Sequence, residues 1–218
     1  MPTPAIKICG ISTPDALDAA IAARADYAGF VFFARSPRNV MPAQAAALSA
    51  RAEGRIARVG LFVDAGDAQI AEALAAAPLD VLQLHGAETP ERAAQVRARF
   101  GLAVWKALPI ASAADVARAN AYAGAVERVL FDAKTPKGAL PGGMGLSFDW
   151  SLVAHWKGPL AWGLAGGLNP DNVGEALART GAPLIDTSSG VESAPGIKDT
   201  GRIAAFARAI RETAAASH

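Results

Sequence analysis

The stretch AIKICGISTPDALDAAIAA, residues 5–23, decides the fold. Its first five residues are apolar apart from one lysine, as in a strand covered on both faces. Ser12, Thr13 and Pro14 then supply a cap and an early proline, which open an alanine-rich helix. The turn between them, CGISTP, carries one glycine. It lacks the glycine-rich fingerprint with which the first turn of a doubly wound sheet approaches a dinucleotide. The only cysteine of the 218-residue chain, Cys9, falls at the end of this first strand.

The same alternation continues to the end of the chain. Apolar runs follow at 27–33 (YAGFVFF), 58–63 (RVGLFV), 80–84 (DVLQL), 102–108 (LAVWKAL), 128–132 (RVLFD), 159–165 (PLAWGLA) and 183–188 (PLIDTS). Helical segments lie between them, among them 12–23, 89–100, 112–122, 169–180 and 199–212, with Thr89-Pro90 and Asn169-Pro170 read as helix starts. Residues 133–148 read as a long connection before FDWSLVAHW. Eight strands alternating with helices in a chain of this length predict an α/β fold, a single-domain (β/α)8 TIM barrel over residues 1–218.

Composition narrows the function. A formal net charge of +1, with no block of like charge, offers nothing to nucleic acid or a membrane surface. One cysteine cannot form an intramolecular disulfide. The longest uncharged stretch, 158–170, is too short and too rich in glycine and proline to span a bilayer. With no signal-peptide pattern at the N-terminus, the expected location is cytoplasmic.

In a barrel the chemistry sits where strands end. Those ends supply Cys9, the loop ARSPRNV with Arg38, Asp64, Gln83 and His85 of QLHG, Lys106, Asp132, the glycines of LAGGLNP, and Asp186 to Gly190. Asp64 is expected to cap the helix after strand 3; Lys106 is left open between a role in the site and a charge that only reaches the barrel rim. Gly166 and Gly167 after strand 7, with Ser188, Ser189 and Gly190 after strand 8, fall on the two loops with which barrels often hold a phosphate. The planar fork of Arg38 suits a carboxylate or phosphate. Cys9 and Asp132 sit on strands three apart around the ring, an arrangement for proton transfers at two different atoms of one ligand.

KICGI, GFVF with SPR, RVGLFV, QLHGAE, FDAKTP, LAGGLNPDNV, and DTSSGVE with PGIKD, in this order, closely resemble the phosphoribosylanthranilate isomerases of tryptophan biosynthesis. The resemblance implies an Amadori rearrangement in a (β/α)8 barrel, with no metal or cofactor. Cys9 would be the general base and Asp132 the general acid. Arg38 would hold the anthranilate carboxylate; Gln83, His85 and Asp186 would contact the substrate; and Gly166, Gly167 and Ser188–Gly190 would bind phosphate. The partner is a small phosphoribosylated molecule, and the chain is expected as a monomer or homodimer. A thiol has an ordinary pKa of about 8.5, so Cys9 is expected to need only modest stabilisation as a thiolate. Two rivals share the fold: an aminoaldose isomerase of histidine biosynthesis, which has a carboxylate where Cys9 stands, and a non-catalytic phosphosugar-binding barrel.

One segment departs from the family. GGMGLSF (142–148) places Met144 where relatives carry a small hydroxyl residue and Leu146 where they carry lysine. Residues 133–147 hold four glycines and two prolines, and are read as a lid that closes over bound substrate.

Overall fold

In the computed structural model, which describes residues 3–135, 145–154 and 156–216, all eight expected strands form. They are β1 (Ala5–Cys9), β2 (Tyr27–Phe32), β3 (Ala57–Phe62), β4 (Val81–Leu84), β5 (Ala103–Ile110), β6 (Arg128–Ala133), β7 (Ala161–Leu164) and β8 (Leu184–Thr187). Each pairs in parallel with the next, and β8 returns to β1, closing the barrel. The helices are α1 (Pro14–Ala22), α2 (Pro42–Ala52), α3 (Asp67–Ala76), α4 (Pro90–Phe100), α5 (Ala113–Ala117), α6 (Val173–Thr180) and α7 (Thr200–Ala216). A short hairpin, β9 (Glu192–Ala194) with β10 (Ile197–Lys198), follows β8.

The caps explain where helices begin. The Thr13 hydroxyl accepts the Ala16 N–H at 3.3 Å, and the Thr89 hydroxyl accepts that of Arg92 at 3.2 Å, each satisfying a donor the helix leaves unpaired.

Two segments differ from the expectation. The span 112–122 is not one helix: α5 tightens after five residues into a 3-10 turn, Arg118–Tyr122. Asn169-Pro170 does not start α6. The Asn169 carboxamide oxygen accepts the N–H groups of Asp171 (2.8 Å) and Asn172 (3.2 Å), so a side-chain-closed turn displaces the helix start to Val173. After β6 the described residues carry only a 3-10 turn, Trp150–Leu152. Most of the expected lid, including Met144, lies outside the described residues.

The apolar core has two shells. Phe30, Phe62, Phe131 and Phe206 pack between the strands and the helices. Inside the ring, Val59, Val81, Trp105, Leu130 and Leu184 form a plug. Trp105 meets Tyr27 edge-on with centroids 4.9 Å apart, and the Arg128 guanidinium lies 5.1 Å from its ring. Nearer the mouth, Cys9 packs with Val31 and Leu61, flanked by Phe33 and Val63. Above that layer lies the site.

Candidate active site

The strand ends surround a cavity of about 180 Å³. Of the residues chosen from sequence, Cys9, Arg38, His85, Asp132, Gly166, Gly167, Asp186, Ser188, Ser189 and Gly190 all line it. Gln83 does not. It is fully buried beneath His85, so it is placed to orient a neighbour rather than to touch a ligand.

Cys9 owes its place to β1, where side chains two apart share a face. Lys7 therefore points into the ring with it, and the β1–β8 register sets Lys7 beside Asp186. The Lys7 ammonium donates to both Asp186 carboxylate oxygens at 3.0 Å and is fully buried. Burial pushes the Cys9 thiol above its ordinary value, while the Lys7 charge pulls it down. The thiolate therefore needs more support than the sequence reading asks, because desolvation disfavours the charged form. Lys7 was not among the residues chosen, although a lone lysine two positions before the cysteine in an apolar strand is the signal that would have found it.

Asp132 reaches the cavity from the end of β6. One carboxylate oxygen accepts the Ala133 N–H at 2.8 Å, and the other lies 3.0 Å from His85 Nε2. Gln83 Nε2 lies 3.4 Å from His85 Nδ1, and its carbonyl oxygen has no partner among the described residues. With Gln83 donating to Nδ1, the neutral ring carries its proton on Nε2 and donates to Asp132. Gln83 and His85 thus fix where the carboxyl group points.

Arg38 crosses the mouth from the β2–α2 connection, and its guanidinium grips Glu192 of the hairpin with two bonds of 2.7 Å. Lys198 donates to the same carboxylate at 2.6 Å and to the Ser188 carbonyl at 2.9 Å. Burial raises the Glu192 carboxyl, but the Arg38 hydrogen bonds and the Lys198 charge outweigh it and hold the group below its ordinary value. The glycine after Cys9 makes room for this arginine. Gly10 has φ +76°, and a Cβ there would lie 2.6 Å from Arg38 Cδ. Glu192 and Lys198 belong to SSGVE and PGIKD, where no local pattern marks either residue as a partner of Arg38.

The two turns expected to bind phosphate meet beside this cluster, where Lys198 already reaches Ser188. The Thr187 hydroxyl donates to the Leu168 carbonyl at 2.6 Å. A Cβ on Gly190 would lie only 1.9 Å from that same oxygen, so only glycine lets the two loops come this close. Backbone N–H groups and two serine hydroxyls are thereby gathered on one wall, the chemistry an anion requires.

Two other strand-end residues are structural. Asp64 does not cap α3, whose N-cap is Gly66. Its carboxylate accepts the Ala87 N–H at 2.6 Å instead, tying the β3 end to the β4–α4 connection. Lys106 is 2% exposed; it donates to Glu88 at 3.0 Å and to the Gly86 carbonyl at 2.7 Å. A second cavity of about 470 Å³ opens on this side and shares His85 and Asp132 with the first.

A closed barrel with a thiol and a carboxyl on strands three apart around one cavity, beside glycine- and serine-rich turns after β7 and β8, is the arrangement of a barrel enzyme of acid–base chemistry on an anionic sugar ligand. The comparisons with known proteins narrow that class. The profile of the family described as N-(5'-phosphoribosyl)anthranilate (PRA) isomerase matches residues 6–209. The N-(5'-phosphoribosyl)anthranilate isomerase of Paramagnetospirillum magneticum is 54% identical over 207 residues, covering 94% of this chain and 96% of the relative. The crystal structure of the phosphoribosyl anthranilate isomerase of Thermotoga maritima superposes with a TM-score of 0.85 at 33% identity, covering 96% of this chain and 99% of that one. A family structure in complex with reduced 1-(o-carboxyphenylamino)-1-deoxyribulose 5-phosphate superposes with a TM-score of 0.83 at 31% identity, with the same coverage. The chain belongs to the N-(5'-phosphoribosyl)anthranilate isomerase family.

Proposed function

We propose that the chain converts N-(5'-phosphoribosyl)anthranilate to 1-(2-carboxyphenylamino)-1-deoxyribulose 5-phosphate, with Asp132 as general acid and Cys9 as general base. Asp132 delivers its proton to the furanose ring oxygen as the bond from that oxygen to C1 breaks and the anilino nitrogen forms a C1=N double bond. The Cys9 thiolate then removes the C2 proton; the C–H electrons form the C1=C2 bond as the C1=N electron pair returns to nitrogen, giving an enolamine. Moving a proton from the C2 hydroxyl to C1 gives the ketone. Proton transfers of this kind contribute about 10²–10⁴ in rate each.

The observation that carries this reading is the placement of Cys9 and Asp132 on β1 and β6 in one cavity. The other groups suit the two ends of the substrate. The Ser188–Gly190 turn with Gly166 and Gly167 receives the phosphate, Arg38 receives the anthranilate carboxylate, and Asp186 meets the sugar between them. His85, steadied by Gln83, donates to the Asp132 carboxylate left after its proton has gone. A thiol in the base position favours this substrate over the aminoaldose of histidine biosynthesis, and the paired thiol and carboxyl favour catalysis over simple phosphosugar binding. The partner is the small phosphoribosylated molecule alone, for a monomer or a homodimer; neither nucleic acid nor a membrane enters the reading. Among the described residues no helix is long and apolar enough to cross a membrane.

The test is turnover of freshly formed N-(5'-phosphoribosyl)anthranilate, followed by loss of its anthranilate-type fluorescence. Rapid enzyme-dependent loss is expected. Activity on the histidine-pathway aminoaldose alone, or binding without turnover, would overturn the reading.

A further inference from the structure

Lys7 is a fully buried charged side chain inside the ring that the mechanism does not use. It is fully buried with its ammonium clamped by Asp186, and a buried ion pair repays its desolvation only with such geometry. The pair leaves a fixed positive charge inside the ring. Its neighbour on the same face of β1 is Cys9.

We propose that Lys7 is a positioning residue for the reaction: its ammonium, fixed by Asp186, offsets the burial of Cys9 and so supports the thiolate that accepts the C2 proton. This inference rests on Cys9 being the base. Lys7 and Cys9 lie two apart on β1 and share its inward face, and Asp186, which holds the ammonium at 3.0 Å, lines the same cavity as Cys9. Asp186 has two opposed effects. It anchors Lys7, and its own charge disfavours the thiolate. The remaining charged or titratable groups around Cys9 are Lys198 on the hairpin, which favours the thiolate, Arg38 from the β2–α2 connection, and Asp132 and His85 across the cavity. The side chains from β2 and β3 that pack on the sulfur, Val31 and Leu61, carry no charge. Lys7 is thus the nearest group on the strand of Cys9 itself that compensates its burial.

A chain with one cysteine makes the test clean, because every thiolate signal comes from Cys9. The thiol is titrated by absorbance at 240 nm, with Cys9→Ser as the blank, in the wild type and in Lys7→Met, Asp186→Asn and the double variant. An opposite charge at this range moves a titration by about 1–3 pH units. The midpoint is expected to rise by about one unit or more in Lys7→Met and to fall in Asp186→Asn, with the double variant between them. The alkaline shift of Lys7→Met should reappear in the pH profile of kcat. The double variant, which leaves no unpaired buried charge, serves as the folding control by near-UV circular dichroism. A Lys7→Met midpoint within about 0.3 unit of wild type, or shifts of one sign in both single variants, would overturn the inference. The thiol titration is independent of turnover, so failure of the base assignment would show separately, as activity retained in Cys9→Ala.

Discussion

Cys9 is made by its neighbours. Gly10 at φ +76° turns the chain away and leaves space for the Arg38 stem. A left-handed conformation costs a residue with a Cβ about 1–2 kcal/mol, and the added carbon would displace Arg38. Gly10→Ala should therefore lower stability by about that amount and raise KM more than it lowers kcat, as urea unfolding and steady-state kinetics can check. Arg38→Met should cost a few kcal/mol, about 2–5, in affinity for a product analogue bearing the ring carboxylate. An analogue lacking the carboxylate should bind variant and wild type alike; equal losses for both would make Arg38 structural. Asp132→Asn fills the same space but has no proton to deliver to the ring oxygen. It should fall by 10²-fold or more on the natural substrate and recover in part on a pre-opened analogue.

At the scale of elements, two connections hold the mouth in shape. The β9–β10 hairpin presents Glu192 to Arg38 and Lys198 to the Ser188 carbonyl, linking the turn assigned to the phosphate with the residue assigned to the carboxylate. Because the folded Glu192 carboxyl is held below its ordinary value, its contribution is complete above the unfolded value of about 4.3 and is lost as pH falls through the folded one. Urea midpoints at pH 6 and pH 3 should differ more in the wild type than in Glu192→Gln. The β4–α4 connection is pinned differently, by Lys106 and Glu88, both nearly fully buried. Breaking one side of a buried pair costs about 3–5 kcal/mol, so Glu88→Gln should fall near the lower figure, and Glu88→Leu with Lys106→Met should regain most of it. Equal stability of Glu88→Gln and wild type would show the pair to be idle.

Across the whole molecule, periodicity was enough to read the barrel. Continuous apolar runs such as RVLFD and YAGFVFF became β6 and β2 because both faces of each strand are covered, one by the plug and one by helices. What sequence misjudged were local contests: Asn169 folds onto its own backbone ahead of α6, and Asp64 reaches across to the next connection rather than capping its own helix. The site residues were legible as strand ends. Their partners were not, since Lys7 with Asp186 and Arg38 with Glu192 are joined by contacts 179 and 154 residues apart. No local pattern reports a contact made only when the ring closes. In the proposed mechanism the buried thiol of Cys9 works as a base among those partners. The most direct measurement is kcat of Cys9→Ala on N-(5'-phosphoribosyl)anthranilate, beside the affinity of the same variant for a product analogue. A base that acts only in the chemical step predicts a fall of 10²-fold or more in kcat with affinity little changed, whereas turnover above about a hundredth of wild type would return Cys9 to the role of a small buried apolar residue.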